Sequence, residues 1–252
     1  MAKSILGNGN TKRGYLIGTD SMHLPPTITQ DSAKEQYILC EECEDYFSVL
    51  ETYYCQRVHN RLWDVRYEAQ FPLQKSPGGI DWKACDQVDS RIIRLFLYSI
   101  IWRCSIAESE EFANFKLPPS EDEILRVALL ASKNRKQVDL LTHLTTDPTI
   151  PLLPLVLLTT DTFVNRTDNY IMVYPSTNEP YILILNEYVL IFSFSNNPKQ
   201  NDFSILNNND NSKFKICFLP FESWEHHRNV TFGILAQKTN SNLKESEKTY
   251  YK

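Results

Sequence analysis

The apolar positions of the chain keep a helical period in its first half and gather into short, β-rich runs in its second. From Cys43 to about Leu62 there is no Gly or Pro, and Phe47, Leu50, Tyr54 and Val58 fall at helical spacing, which predicts a first helix. The alternation over Trp63 to Phe71 predicts a strand, and Ser76 to Gly79 a turn. Asp89 or Ser90 suits the cap of a second helix, whose broad apolar face is Ile92, Ile93, Phe96, Leu97, Ile100 and Ile101. After Pro118-Pro119, Ser120 followed by Glu123 has the form of a capping box. Ile124, Val127 and Ala131 continue the periodic face of a third helix, which Ser132 to Gln137 separates from Val138 to Leu144.

From Pro148 the texture changes. TIPLLPLVLLTT, NYIMVYP, YILILN, YVLIFSFS and KFKICFLP are strand-like runs bounded by Pro, Asn and Asp, with a turn at Pro175 to Pro180. TFGILAQ suggests a helix before a polar tail, and Gln36 to Leu39 a short strand leading to Cys40. The expected class is α+β, a helical N-terminal half followed by an antiparallel, sheet-rich C-terminal half. Its expected divisions are an irregular arm over residues 1–34, a helical domain over 35–147 and a β-rich subdomain with a polar tail over 148–252.

Composition narrows the function classes. Of 252 residues, 42% are hydrophobic, enough to bury a sizeable core. The formal charge of −5 gives no global attraction to nucleic acid. The leading MAKSILGNGNTKRG carries no apolar signal segment, so a reducing, cytoplasmic setting is expected for the six cysteines, as free or metal-bound thiols. The most apolar stretch, Ile92 to Trp102, is interrupted by Arg94 and is too short for a membrane span, so it reads as a buried helix and no membrane is expected.

Cys40-Glu41-Glu42-Cys43 is the sharpest chemical signal, because a C-x2-C at a helix start is half of a zinc site or a redox pair. With Cys55 and His59 it forms C-x2-C-x11-C-x3-H, four zinc ligands on paper. If one helix runs through them, however, about 18 Å separates Cys43 from Cys55 at 1.5 Å per residue. Glu44 and Glu51, seven apart, share a helix face and could bring two carboxylates to a site or simply meet water. His226-His227 with Glu222 and Glu225, and the lone His23, read as surface. Serine-hydrolase, zincin, P-loop and dinucleotide motifs are absent.

The stretch from Thr29 to Thr52, followed by Arg94 to Leu130, resembles bacterial HNH-endonuclease-like proteins of the treble-clef type. The matching positions are Gln30, Asp31, Lys34, Glu35, Tyr37, Leu39, Cys40, Cys43, Glu44, Phe47, Ser48 and Glu51, then Ser99, Trp102, Arg103, Phe112 and Leu117. The resemblance spans about residues 11 to 130. That family also has a first C-x2-C knuckle and an S-H-I-I-P segment whose His is the expected general base; this sequence carries neither.

The resemblance therefore implies a treble-clef remnant with half its zinc knuckle, acting as a non-catalytic protein-interaction subunit. The setting it implies is a bacterial antiphage or conflict system. Tyr37, Cys40, Cys43 and Tyr46 are the expected interface, with a protein partner or a second copy on it. The alternative is a DNA nuclease dependent on Mg²⁺ or Mn²⁺, its site drawn from Glu44, Glu51, His59 and His23. A third reading is a nucleic-acid binder built on Arg57, Arg61, Trp63 and Arg66.

Overall fold

A computed structural model describes residues 14–16, 27–29, 39–75, 80–108, 112, 115–134, 136–146, 150–161, 179–185, 188–195, 208, 213–224 and 226. Its elements, in chain order, are β1 (Gly14–Leu16), β2 (Thr27–Thr29), α1 (Glu41–Tyr54), a π turn (Cys55–His59) and a 3-10 helix (Val65–Gln70). There follow β3 (Leu73–Gln74), β4 (Asp81–Cys85), α2 (Ser90–Ile106), α3 (Pro119–Ala131) and α4 (Gln137–Thr146). The chain continues with β5 (Leu155–Thr160), β6 (Tyr181–Leu185), β7 (Tyr188–Phe192) and β8 (Phe214–Leu219). The class is α+β: helices α1 to α4 all lie before residue 148, and four of the eight described strands, which hold most of the strand residues, lie after it.

α2 is the axis of the fold. It is apolar nearly all round, so it must be enclosed on all sides, and every residue from Ile92 to Ile101 is buried. Asp89 caps it, its carboxylate accepting from the Arg91 backbone N–H at 2.9 Å. The Arg91 guanidinium reaches the Leu144 carbonyl at 2.5 Å, one of the carbonyls that the last turn of α4 cannot bond internally. α1 lays Tyr46, Phe47, Leu50, Tyr53 and Tyr54 against this core. The Tyr54 ring stacks on Phe96 with centroids 4.5 Å apart, and the Tyr53 hydroxyl accepts from the Asp89 N–H at 2.7 Å.

Six strands form one sheet in the order β3-β4-β8-β5-β7-β6. Its pairings are antiparallel, as expected, except β5 with β8, which run parallel with Leu157 opposite Ile216. β5 is buried along its whole length, as a strand covered on both faces should be. One face joins the main core through Leu155, Leu157, Leu190, Phe214 and Ile216; the other carries a smaller cluster of Val156, Leu158 and Cys217.

Asn208 fastens the parallel pair where it begins. Its side-chain amide donates to the Lys215 carbonyl at 3.0 Å and to the Leu155 carbonyl at 3.3 Å, and its carbonyl oxygen accepts from the Lys215 N–H at 2.6 Å. The buried Arg94 guanidinium of α2 donates to the Asn208 backbone carbonyl. Tyr98, one turn further along α2, holds the approach to β5 through the Pro151 carbonyl and the Leu153 N–H.

Several sequence expectations give way. Trp63 to Phe71 is no strand: the Asp64 carboxylate accepts from the Arg66 N–H at 3.0 Å and starts the 3-10 helix instead, a local bond that competes with extended pairing. α3 starts at Pro119, with the Pro118 carbonyl accepting from Glu121 and Asp122, so Ser120 lies inside the first turn rather than at the cap. Its buried side is Leu125, Ala128 and Leu129, whereas the expected face of Ile124, Val127 and Ala131 points outward.

Within the arm expected to be irregular, β1 and β2 pair antiparallel, with Gly14 opposite Thr29. The sheet also takes β3 and β4 from before residue 148, so the strands of both halves share one core. The turn at Ser76 to Gly79, the run NYIMVYP and the tail helix lie outside the described residues. Among the described residues, no helix is long and apolar enough to cross a membrane.

Candidate functional site

Cys40 is the residue immediately before α1, its backbone extended at φ −73° and ψ 156°, and Cys43 sits in the first turn. The Cys40 carbonyl accepts from the backbone N–H groups of Cys43 and Glu44 at 2.9 and 3.0 Å. This turn brings the two sulfurs together: Cys40 Sγ and Cys43 Sγ lie 3.2 Å apart and share a hydrogen bond. Cys40 is exposed and Cys43 half-buried.

Lys133, just past the end of α3, reaches this corner and pairs with Glu42 at 2.9 Å. Its ammonium also faces both sulfurs. The bond from Cys43, helped by the Lys133 charge, holds the Cys40 thiol below its ordinary range. Burial, followed by that same shared bond, pushes Cys43 up. The two thiols therefore differ: one is open and made more acidic, the other sheltered and made less so.

The other expected ligands stand elsewhere. α1 passes without a break into the π turn, so Cys43 and Cys55 are about 18 Å apart along the axis. The π turn, closed by Asn60 N–H to the Cys55 carbonyl at 3.0 Å, delivers His59 to the sheet. There His59 Nδ1 lies 3.0 Å from the Tyr188 hydroxyl, with the Trp63 ring edge-on at 6.0 Å. Burial pulls the His59 imidazole below its usual range, which favours a neutral ring bonded to Tyr188.

Glu44 is exposed and Glu51 half-exposed on the outer side of α1. Tyr46 is 1% exposed and inside the core, so its ring is not offered to a partner; its hydroxyl has no hydrogen-bond partner among the described residues. Glu222 and His226 are exposed. His23, Tyr37, Glu225 and His227 lie outside the described residues.

Among the described residues, no three or more His, Cys, Asp or Glu side chains stand close enough to hold a metal ion together. At Cys40 and Cys43 the donors are two sulfurs, and the neighbouring cation is the Lys133 ammonium. A structural zinc takes four ligands, of which this corner supplies two among the described residues. Of the nucleic-acid candidates, Arg57 is exposed, Arg61 and Arg66 flank the Tyr67 ring at 4.6 and 5.8 Å, and Trp63 turns away to donate to the Thr160 carbonyl at 3.4 Å.

The fold also assembles a polar group that sequence reasoning missed. Glu121 in the first turn of α3 accepts from the Tyr181 hydroxyl of β6 at 3.0 Å, and burial raises its carboxyl above the ordinary range. Glu179 beside it accepts from the N–H groups of Phe194 and Ser195 at 2.6 and 3.2 Å and from the Ser195 hydroxyl at 2.5 Å. Burial acts to raise Glu179 as well, but these bonds outweigh it and hold the carboxyl low. No spacing rule links residues that far apart, so the sequence offers no signal for this group.

Neither family models, curated proteins nor solved structures yield a match to this chain.

Proposed function

We propose that this protein works as a protein-interaction subunit built on an HNH-nuclease-like scaffold without the nuclease chemistry, in the bacterial conflict setting that the resemblance implies. The observation that carries the reading is α3, a helix apolar on two sides. Leu125, Ala128 and Leu129 are buried, while Ile124, Val127 and Leu130 are 39%, 50% and 47% exposed. An outward apolar stripe on a helix already anchored by its other side is a surface of the kind that partner proteins cover. The residues that the nuclease alternative would combine support the same reading, because Glu44 faces water whereas His59 is turned inward against Tyr188.

The test compares the wild-type chain with a Val127→Asp, Leu130→Asp variant, tagged and expressed in the native host. A protein retained by the wild type and lost from an equally stable variant is the expected result, as is a shift from dimer to monomer in sedimentation if the partner is a second copy. An unchanged set of partners in the variant, or nicking of plasmid DNA with Mg²⁺ or Mn²⁺ by the purified wild type, would overturn the proposal.

A further inference from the structure

We propose that Cys40 and Cys43 form a redox-active dithiol that exchanges with the disulfides of small thiols. The two sulfurs already stand within reach of a reversible disulfide. They are 3.2 Å apart, and a bond of about 2.05 Å closes by side-chain rotation across a turn already fixed by the Cys43 N–H to Cys40 carbonyl bond of 2.9 Å. Helix α1 need not unwind.

Exposure assigns the roles. Cys40 is open to solvent, so an incoming disulfide reaches it first; half-buried Cys43 is in contact with Cys40 Sγ and is placed to resolve the product. Lys133 approaches from a different element and sets a positive charge beside both sulfurs, which favours the anionic sulfur of attack and of departure. The same ammonium opposes a divalent cation at that place. Cys85, Cys104 and Cys217 are buried and Cys55 is half-buried, so Cys40 is the exposed thiol of the six.

The exchange balances in two steps. The Cys40 thiolate attacks one sulfur of a disulfide RSSR, forming a Cys40–S–S–R bond and expelling RS⁻, which takes up a proton. Cys43 then loses its proton to solvent and attacks Cys40 Sγ, forming the Cys40–Cys43 bond and expelling the second RS⁻. The protein dithiol gives up two electrons and two protons, and RSSR receives them as two RSH. This chemistry is independent of the α3 surface proposed above, and each can fail without the other.

The test equilibrates the full chain with mixtures of reduced and oxidised glutathione, blocks the remaining thiols by alkylation and maps the products by mass spectrometry. The expected result is a Cys40–Cys43 bridge that grows with the oxidised fraction and is reversed by reduced glutathione. In the Cys43→Ser variant a glutathione adduct should accumulate on Cys40, and the Cys40→Ser variant should form no bridge. Both cysteines remaining alkylatable in the most oxidising mixture would overturn the proposal. So would one zinc per chain that leaves with the pair in a Cys40→Ser, Cys43→Ser variant and shields it from glutathione.

Discussion

Asn208 bonds to both members of the parallel strand pair and also carries the Arg94 contact. Truncating it removes one hydrogen bond each from the part-buried Lys215 N–H and carbonyl, and a polar group that loses its partner away from water costs about 1–3 kcal/mol. Asn208→Ala is therefore expected to lose about 3 kcal/mol in urea unfolding, with Asn208→Asp not restoring it because a carboxylate cannot donate to the two carbonyls.

Asp89 offers a test in pH. Burial acts to raise its carboxyl, but the bonds from the Arg91 side chain and backbone outweigh that and hold it below the ordinary value. A carboxylate with a depressed folded-state pKa adds stability that is complete above its unfolded value of about 3.9 and is lost as pH falls through the lower folded value. The wild type should thus lose stability across that acidic interval more steeply than Asp89→Asn, while above pH 5 the difference between them should stay constant.

Among the elements, α3 is the most instructive. Its sequence holds two apolar faces, and periodicity alone chose Ile124, Val127 and Ala131 as the core side; the structure buries Leu125, Ala128 and Leu129 instead. Both faces satisfy the helical period, and which one turns inward depends on where α2 lies, a tertiary fact with no local signature. Leu125→Ala should cost about 2–5 kcal/mol and Val127→Ala within about 0.5 kcal/mol, a contrast that thermal or urea melts would resolve. By comparison, α2 was legible from its Asp89 cap and near-continuous apolar run, and β5 to β8 from bounded β-rich runs. β3 and β4 were not, since Leu73-Gln74 is too short to show a period and Asp81 to Cys85 mixes charge with apolar residues.

The candidate site divides the same way. C-x2-C at a helix start was visible because its two residues are neighbours in sequence. Lys133 and Glu121–Tyr181 arrive from distant segments and could be found only in the fold.

At the scale of the molecule, the sheet ties the two halves together. β4 from the first half pairs with β8, and β8 pairs with β5. Far-ultraviolet dichroism, which follows the helices, and tryptophan fluorescence, which follows Trp63, Trp82 and Trp102 before residue 148 and Trp224 after it, are expected to report one coincident transition. Two separated transitions would mean that the halves are independent units.

The position of β8 bears on the order in which the protein can be made. Only with residues 214–219 in place do β4 and β5 acquire a common neighbour, so until then each keeps one row of unbonded N–H and carbonyl groups at an exposed margin. On the ribosome, nearly all of the hydrophobic core has emerged before the strand that joins its two sides. The finished sheet is thus sealed from its middle by the last of its described strands to be synthesised, and a nascent chain halted before residue 214 is the species most in need of a chaperone.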